Sequence, residues 1–304
     1  VFDGVHVGHG ALLELLAEVG RERNLEPTVL TFEPHPVSVI APDKAPELLT
    51  TSPCRLRLLR EVGVANVAAL RFDPELAALS PEQFVREVLV ESLDTRLVLA
   101  SAAFRFGAGA RGDSAAMRRI GGEFGIEVVE IRPVVADMRR VSSTRIRHAL
   151  AAGDVTLAAR LLGRPHLVEG VVERGMARGR TLGFPTANLG QVEVLVPGEG
   201  IYAAWAACGE LVRPAAVHVG RRLTFEGTST LEAHLLDFDS DGDLYGRPMT
   251  LAFMRRLRDD ARFDGPAALS AQIGRDVEAV RALLGGAAPD PALSACNADA
   301  GAGG

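Results

Sequence analysis

Cysteine is scarce in this chain of 304 residues: Cys54, Cys208 and Cys296 are the three present, odd in number and far apart. A disulfide framework or a thiolate zinc site needs paired or closely spaced cysteines, so these read as reduced thiols of a cytoplasmic protein. No apolar run approaches the roughly 20 residues that a membrane-spanning helix needs, and the N-terminus has no basic segment followed by an apolar one. A membrane role is therefore not expected. Positive charge is in short supply as well, with 33 Lys and Arg against 39 Asp and Glu, a net charge of −6 and a pI near 5.7. That balance argues against a nucleic-acid binder, which neutralises phosphates with clustered cations, whereas a small anionic ligand needs only local arginines. Internal repeats are lacking. The chain opens without Met on an apolar, strand-like Val1-Phe2, and residues upstream are expected.

What is present is ample apolar content, 47% of residues, in a length that suits two domains. Up to about residue 165 the chain alternates helical and strand-like stretches, as a parallel sheet built from βα units should. Expected helices are Ala11–Arg23, Arg55–Val62, Pro81–Leu93 behind the N-cap Ser80, Ser114–Phe124, Ser142–Ala151 and Val155–Leu162. Expected strands are Thr28–Phe32, Val67–Phe72, Arg96–Phe106 and Ile126–Ile131. From about 166 the rhythm turns to short strands (His166–Glu173, Ile201–Cys208, Pro214–Val219, Thr230–Leu236, Met249–Phe253), which reads as an antiparallel barrel, closed by a helix over Asp264–Leu284. The Ala-, Gly- and Pro-rich tail beyond is expected to bury nothing and to be disordered.

The chemistry concentrates in a few segments. Gly170, Gly175, Gly179 and Gly183 approach the run Gly183-Phe184-Pro185-Thr186-Ala187-Asn188, with Arg174, Arg178 and Arg180 as countercharge. Glycines let backbone N–H groups close on an anion, and Thr186 and Asn188, two apart on an extended strand, project oxygens from one face toward a hard cation. A basic surface hairpin is the plainer reading. His6 and His9, at i and i+3 ahead of a helix near Gly10, suit charge stabilisation on a phosphoryl group at a helix N-terminus, or simple capping. The hydroxyls of Ser142, Ser143 and Thr144 open a helix that carries Arg147, and the set either caps that helix or grips phosphate. Glu232 and His234 share one face of an alternating strand, where Glu232 could accept a proton from a hydroxyl or be an ordinary surface residue. Two imitations are set aside. Gly107, Gly109 and Gly112 match G-x-G-x-x-G without the acidic strand end a dinucleotide site requires, and a loop over a ligand explains them as well. The aspartates from Asp237 to Asp243 start like a calcium loop, but Pro248 occupies the twelfth position, so a hairpin turn is the better account.

These segments, in this order, resemble the bacterial bifunctional riboflavin kinase and FAD synthetase family from Val1 to about Leu284. The motifs that carry the resemblance are Phe2 to His9, Thr31 to Pro36, Phe104 to Gly107, Ser142 to Arg147, Gly183 to Asn188, the Glu232 strand, and Asp243 to Gly246. The resemblance implies a Rossmann-like nucleotidyltransferase domain over residues 1–165 with a parallel sheet, an antiparallel β-barrel riboflavin kinase domain over 166–285, and a disordered tail over 286–304. It implies riboflavin, FMN and ATP as ligands and Mg²⁺ as cofactor. In the kinase half it makes Glu232 the base, Thr186 and Asn188 the metal ligands, Gly170, Gly175, Arg178, Gly179 and Gly183 the ATP loop, and Arg258 and Phe263 flavin-side residues. In the other half it assigns Phe2, Asp3, Gly4, Gly107, Ser142, Ser143 and Thr144 to nucleotide binding and His6, His9 and Arg147 to catalysis of adenylyl transfer. The chain departs from the family's usual pattern at Ser101, Ala103, Leu223 and Asp260, and in the strand leading into Phe2. A kinase with a decayed α/β half, or a non-catalytic flavin-binding regulator, are the rival expectations.

Overall fold

The computed structural model describes all residues except 65, 102, 176–177, 222–228, 239–243 and 294–304, with backbone alone at 178, 180, 221 and 229. Leu223 and the 239–243 segment thus lie outside the described residues. The chain forms two compact units, one of Val1–Pro46 with Leu58–Val141 and one of Glu47–Arg57 with Ser142–Gly304.

The first unit runs α1 (Val7–Arg23), β1 (Thr28–Glu33), α2 (Pro36–Ile40), α3 (Ser52–Glu61, whose first residues are counted with the second unit), β2 (Asn66–Arg71), α4 (Pro74–Ala78), α5 (Pro81–Gln83) continuing in π-type turns over Phe84–Ser92, β3 (Leu97–Ser101), α6 (Ser114–Glu123), β4 (Glu127–Ile131), and the short β5 (Val135–Ala136) and β6 (Arg139–Arg140). Its parallel strands come as two pairs, β1 with β2 and β3 with β4, and β5–β6 is antiparallel. The expected strand over 96–106 stops at Ser101 because Phe106 turns back to exchange two backbone hydrogen bonds with Gly112. Ser80 starts α5 through a capping box, its Oγ accepting from Gln83 N at 3.1 Å while Gln83 Oε1 accepts from Ser80 N at 2.9 Å. This start turns Phe84, Val85, Val88 and Leu89 inward, where they pack with Phe106, Met117, Ile120 and Ile126 as one core.

The second unit comprises α7 (Ser143–Ala151), α8 (Val155–Leu162), β7 (His166–Glu173), α9 (Arg178–Thr181), β8 (Ala187–Gly190), β9 (Gly200–Cys208), β10 (Leu211–Arg221), β11 (Ser229–Leu235), β12 (Pro248–Arg258) and α10 (Pro266–Leu284). Six antiparallel strands close a barrel in the order β10-β11-β8-β7-β12-β9. β9 is buried along its whole length, and its four alanines leave room inside a small barrel for Tyr202 and Phe253, which meet edge to face at 5.3 Å. His166 is buried with its ring nitrogen Nε2 2.7 Å from Leu195 O, and burial pushes its pKa down to about 4. The expectation that nothing beyond Gly285 is buried needs correction. A turn over 291–293, with Ala292 N donating to Asp290 Oδ1 at 2.9 Å, buries Leu293 completely.

Candidate active sites

In the barrel, the Gly183–Asn188 run is placed from both sides. Gly183, at φ 84°, ends the α9 turn, and Phe184 N donates back to Gly179 O at 2.9 Å. His234 Nδ1 lies 2.8 Å from Pro185 O, and its ring meets Phe184 edge-on at 5.4 Å, which pins the loop to β11. β8 then enters the barrel between β7 and β11. Its register sets Asn188 opposite Glu173 on one side and Glu232 on the other, and Glu232 in turn stands opposite His218 of β10. Directly opposed side chains lie on one face about 5 Å apart. The residues that alternate with them, Ala187, Leu189, Leu231, Ala233, Val217 and Val219, are buried, so His218, Glu232, Asn188 and Glu173 form a polar row on the face turned from the core.

Thr186 Oγ1 donates to Glu232 Oε2 at 3.4 Å, closing the set of oxygens at this row. The glycine loop lies directly on it. A Cβ on Gly175 would fall 2.2 Å from Asn188 Nδ2, and one on Gly179 would fall 2.3 Å from Phe184 O. Gly170 is similarly close to Gly190 O, at 2.7 Å for an added Cβ, and the Arg174 guanidinium lies 5.3 Å from the centre of the Tyr245 ring. Arg178 is in α9, backbone only. A hydroxyl, an amide oxygen and a carboxylate are hard donors that suit a small divalent cation. No group of three or more His, Cys, Asp or Glu side chains able to hold a metal occurs among the described residues.

At the end of β12, Arg258 makes a forked ion pair with Asp276 of α10. Its Nε lies 3.0 Å from Oδ1 and its Nη2 2.7 Å from Oδ2, while Gln272 Nε2 donates to Oδ1 at 2.8 Å. The guanidinium also lies 5.7 Å from the centre of the Phe263 ring. Sequence reasoning missed Asp276. Its signal was an acid next to the apolar stripe Val277, Val280, Leu284, a position that is normally apolar unless paired.

In the α/β unit, Phe2 O accepts from Val5 N at 3.0 Å across a turn in which Asp3 is buried and Gly4 has φ 84°. α1 begins at Val7, not near Gly10, because His6 is its N-cap. His6 Nδ1 accepts from His9 N at 3.2 Å and His9 Nδ1 accepts from His6 N at 3.3 Å, a reciprocal box that stacks the rings 3.6 Å apart. A ring nitrogen that accepts carries no proton, so in neutral His6 and His9 the N–H sits at Nε2. Capping and anion stabilisation are thus compatible, since the cap consumes Nδ1 and leaves the N–H donor on the other nitrogen. Gly107 lies against Pro81, where an added Cβ would be 2.7 Å from Pro81 N, so close packing accounts for this glycine. Ser142, Ser143, Thr144 and Arg147 belong to the barrel-containing unit. Ser142 Oγ caps α7 by accepting from Arg145 N at 3.3 Å, Ser143 and Thr144 form its first turn, and Arg147 Nε donates to Glu47 O at 2.7 Å.

A closed barrel presenting hydroxyl, amide and carboxylate beneath a glycine loop, joined to an α/β unit with a histidine-capped helix, defines an ATP-dependent transferase of two modules. The family model for FAD synthetase matches residues 1–145 and that for riboflavin kinase residues 162–284. The chain is 41% identical over 286 residues to the bifunctional riboflavin kinase/FMN adenylyltransferase of Escherichia coli (strain K12), covering 93% of this chain and 91% of that protein. It is 33% identical over 288 residues to the protein of the same name from Bacillus subtilis (strain 168), covering 92% and 90%. A solved structure named as a macrolide-efflux protein from Streptococcus pneumoniae aligns at 30% identity with a TM-score of 0.83 over 92% of this chain and 91% of that one. Its name speaks of efflux, while no helix among the described residues here is long and apolar enough to cross a membrane. The chain belongs to the bifunctional riboflavin kinase/FMN adenylyltransferase family.

Proposed function

We propose that the chain makes FAD in two ATP-dependent steps, the first in the barrel and the second in the α/β module, with domains at 1–165 and 166–285 and a cytoplasmic location. In the first step the Glu232 carboxylate takes the proton of the riboflavin 5′-hydroxyl as that oxygen attacks the γ-phosphate of ATP, giving FMN and ADP. Thr186 and Asn188 would hold Mg²⁺, which when bound would neutralise charge on the phosphates. The loop from Gly170 to Gly183, with Arg178, lies along the triphosphate, and Arg258 and Phe263 hold the flavin. Few residues are needed, since phosphoryl transfer asks for positioning and charge neutralisation more than covalent chemistry.

In the second step the phosphate of FMN attacks the α-phosphate of another ATP and pyrophosphate leaves. His6 and His9 offer N–H donors to the charge that develops. Phe2, Asp3, Gly4 and Gly107 contact the nucleotide on this reading, and the family pattern assigns Ser142, Ser143, Thr144 and Arg147 to the same step. The observation that carries the reading is the register that sets Asn188 and Glu232 opposite each other, with Thr186 Oγ1 3.4 Å from the same carboxylate. Incubation with riboflavin, ATP and Mg²⁺ should give FMN and then FAD on chromatography. Glu232→Gln should abolish FMN formation while riboflavin still binds, and full turnover by that variant would remove Glu232 from the mechanism.

A further inference from the structure

His218 stands opposite Glu232 in the polar row. Its Nε2 is buried without a hydrogen bond among the described residues and lies 3.6 Å from Asp260 Oδ1, an ion-pair distance. Asp260 is the second residue of the irregular stretch between β12 and α10, two positions after Arg258 and three before Phe263. Arg256 meets Asp259 at 2.9 Å, which ties the start of this stretch to β12, and Arg258, the last residue of β12, meets Asp276 of α10. The His218–Asp260 contact joins this stretch to β10, which pairs with the strand of Glu232.

We propose that His218 is a positioning residue that holds Asp260, and with it the 258–263 stretch, beside the strand of Glu232. It thereby sets the flavin relative to the base, so that the 5′-hydroxyl of riboflavin meets the Glu232 carboxylate. The proposal rests on reading Glu232 as the base and 258–263 as the flavin side. An imidazole suits the place because its Nε2 reaches Asp260 while strand pairing sets the same residue opposite Glu232. A lone pair with His218 and Asp260 side chains 36% and 49% exposed contributes little to folding, so its loss should be read in substrate placement.

The test compares His218→Gln, Asp260→Asn and the double variant in the full chain. Riboflavin affinity is measured without ATP by the change in flavin fluorescence, and FMN formation is measured at varied riboflavin and varied Mg·ATP. Each single variant should weaken riboflavin binding and raise its KM by roughly 3- to 30-fold, leave the KM for Mg·ATP unchanged, and gain nothing further when combined, as contacting residues that act as a unit do. Asp260→Glu, which keeps the charge, should stay within about threefold of the parent, the low end of such couplings. Unchanged riboflavin affinity, multiplicative effects in the double variant, or a fall in kcat alone would overturn the proposal. Asp260 is exposed, so its variant remains informative if His218→Gln folds poorly. The Glu232 reading fails separately: turnover by Glu232→Gln would sink the base assignment, while the coupling in riboflavin affinity would still decide the His218 tie.

Discussion

Replacing Gly179 with alanine is the sharpest probe of how the phosphate loop is built. The new Cβ would sit 2.3 Å from Phe184 O and 3.3 Å from both Cγ2 and Oγ1 of Thr186. Ordinary carbon–oxygen contact needs about 1 Å more than the first of these, and cores resist such insertion at a cost of about 1–3 kcal/mol. The obstacle is backbone and cannot swing aside. Phe184 N is already bonded to Gly179 O, and the next carbonyl, Pro185 O, is held by His234. Relief must therefore come from moving the 183–186 segment, which carries Thr186 away from Glu232. A shift of this kind can cost about 100-fold in rate when it displaces positioned groups. Gly179→Ala should therefore lower the unfolding midpoint in urea, consistent with a loss of about 1–3 kcal/mol, and raise the KM for Mg·ATP in FMN formation. Gly122→Ala is the control: this residue lies in α6 with nothing within 4 Å of the added Cβ, so the change should be neutral or stabilising by up to about 1 kcal/mol. A Gly179→Ala protein with the parent's stability and the parent's KM for Mg·ATP would refute the claim that the loop rests on the clamp.

Two further outcomes follow from the site and the fold. His166 is held neutral by burial, with its pKa lowered from 6.5 to about 4, so between those values the unfolded chain binds a proton that the folded chain refuses. Stability should thus fall as pH drops from about 6.5 toward about 4, by a few kcal/mol from this group, and urea unfolding of His166→Asn should show a shallower pH slope than the parent. His6→Ala removes the N-cap acceptor of α1 and one of the two N–H donors, so it should cost about 0.5–2 kcal/mol of stability and reduce FAD formation by about 100-fold, with FMN formation preserved. Equal loss of both products would show that His6 acts on folding alone.

The sequence made legible what is local. The alternation up to residue 165, the short strands after it, the caps Ser80 and Ser142, and the Gly183–Asn188 run all rest on neighbours within a few positions. What depends on distant pairing was not legible. Glu173, Asn188, Glu232 and His218 come from four strands, and only register makes them one row. The segment Glu47–Arg57 falls within the α/β part of the chain, yet it is counted with the barrel. Thr51 Oγ1 donates to Glu169 Oε2 at 2.6 Å, Arg57 meets Glu169 at 3.4 Å, and Leu48 bridges to Val194. No periodicity signals such a loan. Asp276 was invisible for a related reason, since its partner Arg258 is 18 positions away on another element.

Register also explains how a strand of four residues can hold Asn188 in place. β8 has only Ala187–Gly190 to hold it, and its polar member Asn188 is partly exposed, so polar contacts alone would fix it poorly. Its two apolar residues, Ala187 and Leu189, are buried at 8% and 7% exposure. A slip of one residue would turn both outward and drive Asn188 into the core, an exchange of apolar for polar burial on every side. Barrel closure adds a partner on each edge, β7 and β11, so the slip would break two ladders at once. Apolar burial and pairing therefore fix where Asn188 and Glu232 stand, and the polar residues of the row are not needed to hold the strand.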